Sequence, residues 1–159
     1  MTVRKAALID SCLLVLLIVS GTNRKYISKH KNLYPIYNAG HFDVLLGMVS
    51  GAPRIVCTAH ILTETSNLLR QVSDPIRSEV MIVFRELIRS AQELSIESRK
   101  ASESSDFIRL GLTDAAIVSL DPREVQILTV DHNLHIASSR NGFDVINMNP
   151  YFYDRPISG

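Results

Sequence analysis

Residues 6–20 read AALIDSCLLVLLIVS, and their reading decides the fold. The stretch is the most apolar in the chain and holds one carboxylate, Asp10. A charge there is costly unless it is paired or bound to a metal. Ala6–Ile9 reads as a short strand buried on both faces, the kind found in parallel sheets. Asp10-Ser11 then turns the chain into a helix over 12–19. Ser11 or Asp10 can cap it, and Gly21 ends it. Asp10 is therefore either a cap at the end of a buried strand or a side chain that a strand delivers to an active site.

The same stretch has some features of a secretory signal. Arg4 and Lys5 precede a seven-residue apolar run, 13–19, and the small residues Ser20 and Gly21 follow. Asp10 would lie inside the apolar region of such a signal, and the run is at the short end of the usual range. It is also too short to span a bilayer. The stretch reads better as the middle of a sheet.

At 159 residues the chain is long enough for one domain with a sizeable core, over residues 1–150, followed by a tail over 151–159. Hydrophobic content of 46% and charged content of 21% are ordinary for a globular protein. A net charge of +1 gives no global basic field, which argues against a protein that coats nucleic acid non-specifically. A local basic patch remains compatible with it. Cys12 and Cys57 lie in apolar surroundings with no partner at metal-ligand spacing. They read as two buried free thiols in a reduced, cytoplasmic compartment.

Outward from the opening stretch, strands alternate with helices. Residues 21–40 read as an irregular loop that gathers Arg24, Lys25, Lys29, His30 and Lys31 among Tyr26, Tyr34 and Tyr37. This is either a solvated loop with anchoring tyrosines or a contact surface for a phosphate backbone or a partner chain. A helix over 41–50 precedes a second strand over 54–57. Thr58 caps a helix over 59–72, where His60, Glu64 and Asn67 stack one turn apart at the edge of the apolar stripe. Asp74-Pro75 starts a helix running to about residue 92. Residues 93–97 form a short third strand, and 98–110 a polar helix. Thr113 caps a short apolar helix over 114–120, with Asp114 in its first turn. The strand over 125–130 ends in Asp131, as the first strand ends in Asp10. A helix over 132–139 and a last strand over 143–147 complete the pattern. This order predicts a three-layer α/β domain with a mostly parallel sheet.

In such sheets, ligands bind outside the carboxyl ends of the strands. Asp10 and Asp131 occupy strand ends, and Glu64 and Asp114 lie on helices that can reach the same edge. Four clustered carboxylates raise one another's pKa unless a cation lies between them. Oxygen-only ligands point to Mg²⁺ or Mn²⁺, and such ions activate water against a phosphodiester.

At this point the sequence resembles the PIN domain family, small metal-dependent ribonucleases common among the toxins of toxin–antitoxin pairs. The matching pieces are ALIDSCLLVLL, LTETSNLL, GLTDAAIVSL and ILTVDHNLHIAS, in order over nearly the whole chain. The resemblance implies a sheet order of 3-2-1-4-5, with the segment 93–97 at its edge. It implies that Asp10, Glu64, Asp114 and Asp131 are the catalytic, metal-binding carboxylates. Thr129 would orient Asp131 or a metal-bound water, with Ser11 and Asn67 supporting the site from behind. The sequence departs from the family pattern at His132, where arginine is common, and in the length of the 21–40 loop.

The function expected on these grounds is a Mg²⁺- or Mn²⁺-dependent endoribonuclease. RNA is its substrate, and Arg24, Lys25, Lys29 and Lys31 contact the RNA backbone. As a toxin it would have a small antitoxin as partner, and PIN proteins often form homodimers. The alternative is a catalytically weak PIN-fold module that binds RNA or protein. An aspartate-nucleophile phosphatase would need a second aspartate two residues after Asp10, where Cys12 stands.

Overall fold

The first strand, Ala6–Ile9 (β1), is buried at every position, as an unbroken apolar run requires of a central strand. The computed structural model describes residues 4–153. Helix α1 (Ser11–Thr22) follows β1 directly, and most of its residues are buried. A helix that is apolar nearly all round belongs inside the protein, and this one packs against three other helices and the turn that follows it. Gly21 does not stop it. The helix continues to Thr22, and Asn23 then caps a 3₁₀ turn, Arg24–Lys29, by accepting a hydrogen bond from the Lys25 amide at 3.0 Å. The 21–40 segment is therefore ordered where an irregular loop was expected.

Helix α2 (Ala39–Ser50) opens with a reciprocal cap, in which Asn38 bonds the His41 amide and the His41 ring accepts from the Asn38 amide. Strand β2 (Ile55–Cys57) leads to helix α3 (Ala59–Leu69), capped by Thr58. Helix α4 (Ile76–Ser90) follows, and Asp74 accepts from the Ser78 amide at its start. Strand β3 (Gln92–Glu93) is only two residues long and lies earlier than the 93–97 segment. The helix expected over 98–110 is broken into α5 (Ser98–Ser102) and α6 (Phe107–Leu110). The break is held by Asp106, a buried carboxylate that accepts from Arg109, Arg140 and Asn141. Helix α7 (Leu112–Val118) begins before Thr113, so Thr113 is not its cap. Gly111 takes that place with φ of 81°, a left-handed conformation that glycine adopts without strain.

Strand β4 (Val125–Thr129), helix α8 (His132–Arg140), strand β5 (Asp144–Asn147) and helix α9 (Asn149–Tyr153) complete the fold. The sheet has five strands in the order β3-β2-β1-β4-β5, and every pairing is parallel. This is the predicted order, in a three-layer α/β/α fold with β1 at the centre. Leu8 stands opposite Val56 on one side and Ile127 on the other. All strand carboxyl ends therefore lie on one rim and all amino ends on the other. The tail forms α9 as far as Tyr153, with Phe152 buried, and residues 154–159 lie outside the described residues. Among the described residues, no helix is long and apolar enough to cross a membrane.

Candidate functional site: the carboxyl rim of the sheet

Asp10 follows the last residue of β1 and is buried. One of its oxygens, Oδ1, caps α1 by accepting from the Leu13 amide at 2.9 Å. The other, Oδ2, accepts from the Thr129 hydroxyl at 2.5 Å and from the Val130 amide at 3.0 Å. Thr129 Oγ1 in turn accepts from the Asp131 amide at 2.9 Å. The Asp10 carboxyl thus ties the ends of β1 and β4 together and starts α1. Burial pushes its pKa up. The three hydrogen bonds oppose that shift, and the charge of Asp131 adds to it.

Asp131 repeats this role at the end of β4. It is exposed, and its Oδ1 caps α8 by accepting from the Leu134 amide at 2.8 Å. Asp114 lies in the first turn of α7 and is partly buried. Burial raises its pKa to about 7, with further contributions from the charges of Asp131, Asp10 and Glu64. Glu64 is exposed on α3 and lines a shallow groove of about 340 Å³ between α3 and α7, together with His60, Asn67, Leu112 and Thr113. Ser11 is buried in the first turn of α1, and Asn67 faces the groove beside Glu64.

The four carboxylates face one rim, where the charges of Asp131, Asp10 and Glu64 help raise the pKa of Asp114. They do not form the expected metal centre. Among the described residues, no group of three or more His, Cys, Asp or Glu side chains is placed to hold a metal ion. This overturns the reading of Asp10, Glu64, Asp114 and Asp131 as Mg²⁺ or Mn²⁺ ligands, and with it the metal-dependent endoribonuclease. The physical reason lies in what their oxygens do. Oδ2 of Asp10 already accepts two hydrogen bonds, and Oδ1 of Asp10 and Oδ1 of Asp131 each cap a helix start, so these two carboxylates have structural roles that account for their placement. Three of the four carboxylates stand at helix starts, where a negative charge also suits the helix dipole.

Two residues on this rim were not anticipated. Cys12 is exposed, contrary to the buried thiol expected, while Cys57 is buried. Partial desolvation raises the Cys12 pKa to about 11, and Asp10, Glu64, Asp131 and Asp114 all add to the shift. Tyr37 also approaches the rim. Burial raises its pKa, and the charges of Cys12 and Asp10 reinforce the effect. Its ring packs edge-on against His41 and Phe152, with centroids 5.9 Å away in each case. The only sequence signal for Tyr37 was its place among the tyrosines of the 21–40 segment.

Cys12 provides a direct test of the rim's charge. Its alkylation by iodoacetamide at about pH 8 should run about a hundredfold slower than that of a free thiol, because the thiolate is the reacting form. An Asp114→Asn and Asp131→Asn double variant should react faster. Equal rates for the wild type and the double variant would show that these carboxylates do not act on Cys12, whose shift is led by burial.

The expected basic contacts lie on or just after the 3₁₀ turn. Arg24 is paired with Asp43 at 2.5 Å, and its guanidinium lies 5.1 Å from the Phe42 ring centroid. Lys25, Lys29 and Lys31 are exposed. No family model, curated protein or solved structure matches the chain.

Proposed function

We propose that the protein is a binding module of PIN-like topology whose carboxyl rim receives a protein segment bearing an arginine or lysine. The observation that carries this reading is the rim itself. Asp10, Asp114 and Asp131 stand at helix starts on this rim and Glu64 lines the groove beside them, while among the described residues no donor set for a metal accompanies them. An acidic surface without a metal repels a phosphate backbone and attracts a cationic side chain. The groove beside Glu64 and Asn67 has apolar walls in Ala59 and Leu112, which suits the stem of a long cationic side chain.

Binding of RNA is the second reading, and it rests on the exposed Lys25, Lys29 and Lys31. Arg24 contributes less to it, because Asp43 already neutralises its charge.

Titration calorimetry distinguishes the two. The full chain is titrated with a short arginine-rich peptide and separately with a single-stranded RNA, at one ionic strength. The peptide is expected to bind, and a Glu64→Gln and Asp131→Asn double variant to weaken it by about tenfold, or ~1.4 kcal/mol. Asparagine at 131 keeps an oxygen for the cap, so folding is preserved. Tight binding of RNA with none of the peptide would overturn the reading.

A further inference from the structure

The opposite rim of the sheet carries a second charged surface, independent of the carboxyl rim and of the function proposed for it. Arg4 and Lys5 precede β1, Arg54 precedes β2, and Arg123 lies two residues before β4. Parallel pairing brings these four amino ends together, although the residues are spread over most of the chain. They line a hollow of about 320 Å³ floored by Val56 and Leu94. A neighbouring hollow of about 300 Å³ shares Arg4 and Lys5 and continues past Met48.

Three of these four cations are held in place by neutral partners. Arg4 donates to the Gly51 carbonyl at 3.2 Å, and Lys5 to the Pro122 carbonyl at 3.3 Å. Arg54 donates through Nε to the Gln92 side-chain oxygen at 2.7 Å, which leaves its two terminal nitrogens free. Among the described residues, none of these three pairs with a carboxylate. Arg123 is compensated, because it pairs with Asp121 at 2.7 Å. Glu124 at the edge of the first hollow and Asp144 in the second offset part of the charge, and Asp144 accepts from Gln126 at 3.0 Å.

We propose that this amino rim binds a small anion with two or more linked phosphoryl groups, such as the diphosphate of a nucleotide. Three cations without a carboxylate partner, two from the segment before β1 and one from the loop before β2, suit more than one negative charge. The guanidinium fork matches phosphoryl oxygens in pairs. Two adjoining hollows with shared cations suit two linked groups, whereas a single phosphate occupies one. The neutral anchors also fix the cations before the ligand arrives, which lowers the entropic cost of binding.

The test is calorimetry on the full chain with pyrophosphate, ADP and inorganic phosphate at constant ionic strength. Saturable binding is expected for pyrophosphate and ADP, about tenfold tighter than for phosphate. Arg54→Gln should weaken pyrophosphate binding by about tenfold, and Lys5→Gln by a similar factor. Arg85→Gln, at an exposed cation on α4, should leave it unchanged. A matching thermal melt establishes that each variant is folded. Binding that survives both Arg54→Gln and Lys5→Gln would overturn the proposal. So would the absence of saturable pyrophosphate binding, or binding of a single-stranded oligonucleotide alone.

Discussion

Asp10→Ala is expected to destabilise the protein by about 3 kcal/mol, the largest effect of any single carboxylate on the carboxyl rim. The substitution leaves three donors without an acceptor: the amides of Leu13 and Val130 and the hydroxyl of Thr129. A lost cap costs about 1 kcal/mol, and a buried donor left unpaired costs about 1–3 kcal/mol. Removing the buried carboxyl gives back part of this, because burial works against its charge. The lost hydrogen bonds outweigh that relief, since they join two strands and a helix at the centre of the sheet. Asp131→Ala removes one exposed cap and should cost about 1 kcal/mol. Urea unfolding of both variants checks the comparison. If Asp10→Ala cost no more than Asp131→Ala, the tie between β1 and β4 would contribute nothing.

Asp114 sets the second large effect, and its sign follows from the direction of its shift. Its carboxyl titrates at about 7 in the folded protein and at an ordinary 3.8 when unfolded. Between these values the folded state holds a proton that the unfolded state has released. Stability therefore falls as pH rises from about 4 to about 7, and is flat above that. The full shift would correspond to roughly 4 kcal/mol, and partial exposure to solvent reduces this to about 2 kcal/mol. Asp114→Asn mimics the protonated form. The variant should match the wild type near pH 4 and exceed it by about 2 kcal/mol near pH 8. Asp10 is shifted in the same direction, so a slope of the same sign should persist in the variant. Superimposable stability profiles for the two proteins would refute the assignment.

Strands β1 and β4 were legible locally, since a largely apolar stretch followed by an acidic residue occurs at each, while the order of the five strands was implied by the resemblance. The division of 98–110 into two helices was hidden, because Asp106 finds Arg140 and Asn141 more than thirty residues away. The start of α7 was misplaced because Thr113 resembles a cap, while Gly111 fills that position through its backbone. The metal centre failed for a different reason. An acidic residue at a strand end can cap the next helix or hold a cation, and the two uses share one sequence pattern. What separates them is the placement of the other carboxylates: among the described residues no three donors gather to hold an ion, while Asp10 and Asp131 cap their helices. The amino rim was equally hidden, since Arg4, Lys5, Arg54 and Arg123 meet only once the sheet is assembled.

Parallel strands also give the molecule a direction. A net charge of +1 hides two opposed ends, with Asp10, Glu64, Asp114 and Asp131 at one and Arg4, Lys5 and Arg54 at the other. The four residues of β1 separate them by roughly 13 Å of strand. Within about a Debye length, ~8 Å at physiological salt, the molecule acts as a small bar magnet does in a field. It turns its strand axis toward a charged neighbour before any contact forms, presenting its basic end to polyanions and its acidic end to polycations. Added salt would slow that approach, and would do so for partners of either sign despite a net charge close to zero.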